Sequence, residues 1–271
     1  MSLAEKIGPK QALMISVASV VVGLIVILIA QPWTEMLGPP ISPARIGLAY
    51  AAAILIYFIP AIICVLRFIQ VPEWLAPPGK YSPEAKYEPL SAYTLIATAI
   101  AAAIYAVGGL PTGVNIDLPA LITAFVAVYF GPLVSLIAWF IGFFIRWAIG
   151  GAPWLAAPIL APLIAIIDSG VWAVNAYIFW YVMRSGRFKI TGANRYVYLV
   201  VLIIVMIFIH LCGWLVVYAL CMNPWEAYVG YVSFALSTWY PTTIVFIIIG
   251  AIIGETAYES RAALAKVEAV E

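Results

Sequence analysis

Charged residues are scarce in this sequence of 271 residues. It has 13 Lys and Arg and 12 Asp and Glu, so 9% of the chain is charged while 66% is hydrophobic. Soluble domains carry about 25% charged residues, and the mean hydropathy here is +1.09. This composition excludes a soluble globular enzyme and a disordered chain, and it predicts a polytopic membrane protein. The net charge of +1 gives no basic signature for nucleic acid.

Residues that carry metal or covalent chemistry are also few. The three cysteines, Cys64, Cys212 and Cys221, have no CxxC spacing, and His210 is the only histidine. This excludes a bis-histidine haem and a His-rich metal site, and we expect no cofactor. The motifs HExxH, GxSxG and GxxxxGK[ST] are absent. We therefore expect a protein that is not an enzyme and has no ATPase loop of its own.

Apolar runs of about 20 residues, the length that crosses a bilayer, divide the chain. The stretch 118–149 is ambiguous, because it is either one long helix or two short helices that meet at a break at Gly131-Pro132. The remaining runs predict transmembrane helices at 12–30, 46–69, 90–109, 157–183, 196–221 and 228–254.

The distribution of Lys and Arg favours the break. With two helices there and the N-terminus inside, every Lys and Arg except Arg45 and Arg146 lies on the cytoplasmic side. With one helix, the cations divide almost evenly between the two sides, against the positive-inside rule. We therefore predict an all-α polytopic membrane protein with about eight transmembrane helices and both termini in the cytoplasm.

This topology predicts two groups of helices. Two N-terminal transmembrane helices (1–69) are joined by a Pro-rich cytoplasmic linker (70–89) to a six-helix membrane bundle (90–259), and a short cytoplasmic tail (260–271) follows. No organelle signal is visible, so we expect a multi-pass protein of the plasma membrane.

Polar side chains at membrane depth are candidates for a binding site, because burying them in lipid is costly. Asp168, Trp172 and Asn175 recur at i, i+4 and i+7 and so share one helix face. An acid, an indole and an amide together can hold a polar aromatic ligand. The alternative is that Asp168 makes a structural hydrogen bond to a neighbouring helix.

Other polar and aromatic residues have similar alternatives. Arg146 either faces a cavity, where it pairs with Asp168 or a ligand anion, or extends its side chain to the membrane surface. His210 is either a ligand contact or a packed residue, and Glu226 also suits a helix N-terminus. The substrate-binding candidates beyond the shared face are Asn115, Asp117, Arg146, His210, Trp214 and Glu226.

The start of the six-helix bundle carries a resemblance to a known family. The helix predicted at 90–109 is rich in alanine, and an extracytoplasmic loop, 110–117, follows it. Next come the turn Tyr129-Phe130-Gly131-Pro132 and a helix that contains Gly142. In these features the block resembles the substrate-binding (S) component of energy-coupling factor (ECF) vitamin transporters. Many members have a Gly-Asp pair where this chain has Gly142-Phe143.

The resemblance implies a function and partners. An S component captures a small water-soluble vitamin or related micronutrient from outside. A membrane coupling subunit and ATP-binding-cassette ATPases then drive uptake. The alanine face of the first bundle helix would contact the coupling subunit, although small residues also permit close packing within the chain's own bundle. The docking candidates are Ala97, Ala99, Ala101 and Ala103.

Three other functions remain open. The chain could be an accessory or structural subunit of another membrane complex, with the two N-terminal helices as a docking pair. It could also be a proton-coupled transporter that uses Asp168, although such proteins normally show internal repeats and more than one buried acid. An intramembrane enzyme would depend on Ser169 and His210.

Overall fold

A computed structural model of the chain describes residues 8–30, 35–108, 118–150, 158–187, 194–201, 203–204, 216, 220–221 and 225–268. The described residues form helices and their connections, without a β-strand. The helices are α1 (Pro9–Ala30), α2 (Pro43–Phe68), α3 (Pro72–Leu75), α4 (Ala92–Gly108), α5 (Leu118–Phe130), α6 (Pro132–Ala148), α7 (Ala161–Arg184), α8 (Trp225–Phe234) and α9 (Tyr240–Glu268). Residues 194–201 are also helical.

Four of these helices are long and apolar enough to cross a membrane: α1, α2, α7 and the part of α9 from Tyr240 to Ala263. The apolar helices α4, α5 and α6 are shorter. At 1.5 Å per residue, the 13 residues of α5 span about 20 Å, less than the roughly 30 Å of a hydrocarbon core. The chain is thus a helical membrane protein.

The predicted break at Gly131-Pro132 is confirmed, because α5 ends at Phe130 and α6 begins at Pro132. Gly131 has a φ of +82°, which residues with a side chain rarely adopt. Leu118 at the start of α5 lies against Gly108, and Gly142 near the end of α6 lies against Ala102. Both helices therefore run along α4 in opposite directions and form a hairpin.

The hairpin turn marks one end of the bundle, which we call the Gly131 end. Phe68, the last residue of α2, lies against Gly131, and so does Trp180 of α7. Most described Arg side chains flank this end, whereas Arg45 and Arg146 occupy helix turns at the opposite end. This is the arrangement expected if the Gly131 end faces the cytoplasm.

Helix α2 joins the N-terminal hairpin to the rest of the bundle. It widens into a π-helical turn at Ile54–Phe58, just before Pro60, which cannot donate a backbone hydrogen bond. The hydroxyl of Ser19 in α1 donates to the Leu55 carbonyl in this turn. On the other side of α2, the Tyr57 backbone lies so close to Gly170 of α7 that a Cβ there would be 2.9 Å from the carbonyl oxygen.

A very close contact between helices joins α5 and α9. Gly250 of α9 lies directly on the Leu121 carbonyl, and a Cβ at Gly254 would be 3.0 Å from the Phe125 carbonyl oxygen. Residues 250–254 read Gly-Ala-Ile-Ile-Gly, the GxxxG pattern that lets two helix backbones approach in lipid. Since Gly250 pairs with Leu121 and Gly254 with Phe125, the two helices run parallel.

Two connections differ from their predicted form. The linker 70–89 contains the one-turn helix α3, and Trp74 in it is buried against Phe68 and Trp180. Helix α9 continues past Gly254 to Glu268, so the tail predicted from residue 260 is helical as far as the described chain goes. Ala, Glu, Arg and Lys, which favour helix, make up most of this extension.

Candidate functional site

The predicted polar face lies on α7 and points partly into the bundle. Trp172 and Asn175 are buried, with 9% and 7% of their surface exposed, while Asp168 is half-buried. Helical spacing places the three residues on successive turns. The structure therefore brings Trp172 and Asn175 into the core of the bundle, and Asp168 lies one turn before Trp172.

Trp172 and Asn175 line a cavity between four helical segments. Its walls come from α5, α7 and α9 and from Leu199 and Ile203. The cavity volume is about 10 Å³, which is about the room that one water molecule needs. The lining residues are Ala124, Ala127, Val128, Trp172, Asn175, Phe179, Leu199, Ile203, Ile247 and Ala251.

Asn175 is the polar member of this lining. It is buried, with 7% of its surface exposed, and its amide offers both donors and an acceptor. The other walls are apolar, so the cavity combines one amide with the indole of Trp172 in a hydrocarbon-like setting.

Arg146 lies elsewhere, in the last turn of α6. It is half-buried, and its guanidinium carbon is 5.5 Å from the ring centroid of Tyr105 in α4. Tyr105 also packs on Trp139, with ring centroids 4.8 Å apart. This contact is a cation–π interaction, and it places Arg146 at the end of the bundle opposite Gly131.

The alanine face of α4 divides into two parts. Ala97 and Ala101 are buried, with 7% and 3% exposure, and the same side of α4 carries the close contact of Ala102 with Gly142. Ala99 and Ala103 are exposed. The first pair thus packs within this chain, and the second pair lies on the outer surface of the bundle.

The remaining candidates are not placed. Asn115, Asp117, His210 and Trp214 lie outside the described residues. Glu226 is the second residue of α8, whose backbone is described but whose side chain at that position is not. Within the described ranges, no group of three or more His, Cys, Asp or Glu side chains is placed to hold a metal ion.

One buried polar cluster was not predicted from the sequence. Arg184 at the end of α7 donates to Glu255 of α9 over 2.7 Å, and their side chains are 8% and 5% exposed. In the sequence, Arg184 is a cation on the predicted cytoplasmic side, next to a predicted transmembrane helix. The sequence does contain a signal for this cluster. Glu255 and Glu259 are four residues apart and so share one helix face. Arg184 and Arg195 lie on either side of one predicted cytoplasmic loop and supply the opposite charges.

Comparisons with known proteins found no match among family models, curated proteins or solved structures.

Proposed function

We propose that this chain is the membrane-embedded substrate-binding component of an ECF-type importer in the plasma membrane. It captures a small water-soluble vitamin or related micronutrient from outside, and partner subunits with ATP-binding-cassette ATPases drive uptake. The single observation that carries this proposal is the buried wall of Trp172 and Asn175 on α7, which combines an amide with an aromatic face inside an otherwise apolar cavity.

The chemistry of this wall favours a planar ligand with a hydrogen-bonding edge. The amide of Asn175 offers both donors and an acceptor, and the indole of Trp172 can stack on a flat ring. Burying an amide between apolar walls is costly unless it is hydrogen-bonded, and the polar edge of a ligand in the cavity would supply such bonds.

Binding would require the walls to move. Binding sites for small molecules usually have volumes of about 300–1,000 Å³, whereas the volume of this cavity is about 10 Å³. Leu199, Ile203 and Ile247 form the apolar side of the cavity, so their side chains would have to be displaced. We therefore expect binding to alter the surroundings of Trp172 and hence its fluorescence.

The partner surface follows from the two sides of α4. Ala99 and Ala103 are exposed next to Ile100 and Ile104, so they are accessible to a coupling subunit, while Ala97 and Ala101 already pack within the chain. Small residues four apart permit close backbone approach between helices in lipid. We propose docking of the coupling subunit at the exposed pair.

The test is a titration of intrinsic tryptophan fluorescence of the purified protein with a panel of water-soluble vitamins and their precursors. Mass spectrometry of the same sample identifies any co-purified small molecule. We expect saturable quenching by one compound class, and we expect Asn175→Leu to abolish it.

The matched control is Thr98→Val on α4. This substitution removes a buried hydroxyl that is already bonded to the Thr94 carbonyl over 2.8 Å and lies outside the cavity lining. Binding should survive it. Equal loss of binding in both variants, or full binding by Asn175→Leu, would contradict the proposed site. No response across the panel would favour an accessory subunit of another membrane complex.

A further inference from the structure

A buried ion pair closes the bundle at the Gly131 end. The Nη2 atom of Arg184 lies 2.7 Å from Oε2 of Glu255. The pair joins the last turn of α7 to α9, and neither side chain is more than 8% exposed. Such burial removes both charges from water, which costs several kcal/mol per ion before their attraction is counted.

Three aromatic rings surround the guanidinium. Its carbon is 3.8 Å from the ring centroid of Tyr258, 4.5 Å from that of Trp180 and 5.0 Å from that of Phe179. The Nε and Nη1 atoms are buried and have no hydrogen-bond partner among the described residues. The cation is therefore held by the Glu255 carboxylate, by a side-chain hydrogen bond with Tyr258 and by ring faces, a set of contacts that only partly replaces water.

This cluster forms the floor of the cavity. Phe179 lines the cavity and also lies against Arg184. Ala251 lines the cavity one turn before Glu255 on α9. Trp180 donates its indole N–H to the carbonyl of Ala127, a third lining residue, over 3.1 Å.

A second layer lies beneath the floor. Phe68 packs edge-on against Trp180 with ring centroids 5.2 Å apart, and Trp74 of α3 lies 6.2 Å from Trp180. The linker thus supports the same aromatic cluster from the Gly131 end. Among the described residues, Trp180, Arg184 and Glu255 thus lie between the cavity and the Gly131 end.

We propose that the Arg184–Glu255 pair is a latch that closes the cavity toward the Gly131 end and opens when α9 separates from the end of α7. In an open arrangement both charges regain water, which offsets part of the attraction lost when the pair separates. The inference rests on the proposed function only in taking the cavity as the solute site. Opening of the latch would provide the route of release.

A neighbouring ion pair serves as the control. Arg195 and Glu259 lie 3.3 Å apart, one helical turn further along α9, and their side chains are 30% and 50% exposed. Exposed pairs contribute about 0–1 kcal/mol, and neither residue lines the cavity. Loss of this pair should leave the cavity closed.

The experiment measures access to the cavity by cysteine labelling. Ala251→Cys is introduced into a chain whose Cys64, Cys212 and Cys221 are replaced by serine. A membrane-impermeant maleimide is then applied to either side of reconstituted vesicles. We expect Glu255→Gln and Arg184→Gln each to accelerate labelling from the Gly131 side by about tenfold or more. A tenfold change corresponds to about 1.4 kcal/mol, and the free-energy cost of breaking a buried pair is larger than that. Glu259→Gln should not change the rate.

A second reporter separates latch opening from unfolding. Ala138→Cys lies in α6 at a fully buried position outside the cavity, and its labelling should stay slow in every variant. Fast labelling at both reporters, or equal rates in Glu255→Gln and Glu259→Gln, would overturn the latch. Labelling needs no ligand, so this experiment tests the latch independently of the vitamin titration.

Discussion

The contact of Gly250 with Leu121 supports a quantitative prediction for Gly250→Ala. A Cβ at this position would overlap the Leu121 carbonyl, a backbone atom that cannot rotate away, so α5 and α9 would have to separate. Overpacking of this kind costs about 1–3 kcal/mol, and we take about 3 kcal/mol because the obstacle is backbone. The higher helix propensity of alanine returns up to about 1 kcal/mol.

The net loss is then about 2 kcal/mol. For a chain of this size the melting temperature changes by about 2–4 °C per kcal/mol, so we expect a fall of about 4–8 °C. The assay is thermal unfolding of the detergent-purified protein, followed by size-exclusion chromatography with fluorescence detection.

Gly47→Ala is the matched control. Gly47 is an exposed helical glycine of α2 with nothing within 4 Å of a Cβ. Here only the propensity gain applies, and the melting temperature should rise by about 2–4 °C. If Gly250→Ala were as stable as Gly47→Ala, the close approach of α5 and α9 would be refuted.

Three further contacts are tested by substitution in the same thermal assay. Glu255→Gln removes the carboxylate partner of a buried arginine and should lower the free energy of unfolding by about 3–5 kcal/mol. Glu259→Gln at the exposed pair should lower it by no more than about 1 kcal/mol. Similar losses in the two variants would contradict the difference in burial between the two ion pairs. Gly131→Ala forces alanine into a positive φ against an aromatic ring and should lower stability by more than about 1 kcal/mol; an unchanged melting temperature would argue against this turn. Ala101→Leu should destabilise the bundle by about 1–3 kcal/mol, while Ala103→Leu should leave stability unchanged and reduce co-purification with a coupling subunit. A larger loss of stability in Ala103→Leu than in Ala101→Leu would contradict the burial of Ala101 and the exposure of Ala103.

Local signals predicted much of the fold. Pro43 and Pro132 occupy first helical positions, where proline is favoured, and Gly131 supplies the backbone conformation that the hairpin turn requires. The shared face of Trp172 and Asn175 was also predictable, because helical spacing alone determines it.

Long-range contacts were not predictable in the same way. Arg184 and Glu255 are 71 residues apart, and each reads as an ordinary charge next to a predicted transmembrane helix. Their burial depends on how α7 and α9 meet, which no pattern within either helix shows. The predicted end of this last helix, at residue 254, was wrong, because the prediction followed hydropathy. Hydropathy falls at Glu255, whereas the helix continues to Glu268.

The parallel pairing of α5 with α9 also constrains how the chain is assembled. A ribosome makes α9 more than a hundred residues after α5, and chains acquire structure in the order of synthesis. Until α9 arrives, the backbone carbonyls of Leu121 and Phe125 lack the glycines that will lie on them, and α5 is a short helix held by its neighbours alone. The insertion machinery would therefore have to shelter an unfinished hairpin, and ribosome stalling before Gly250 would yield a protein that quality-control proteases can recognise.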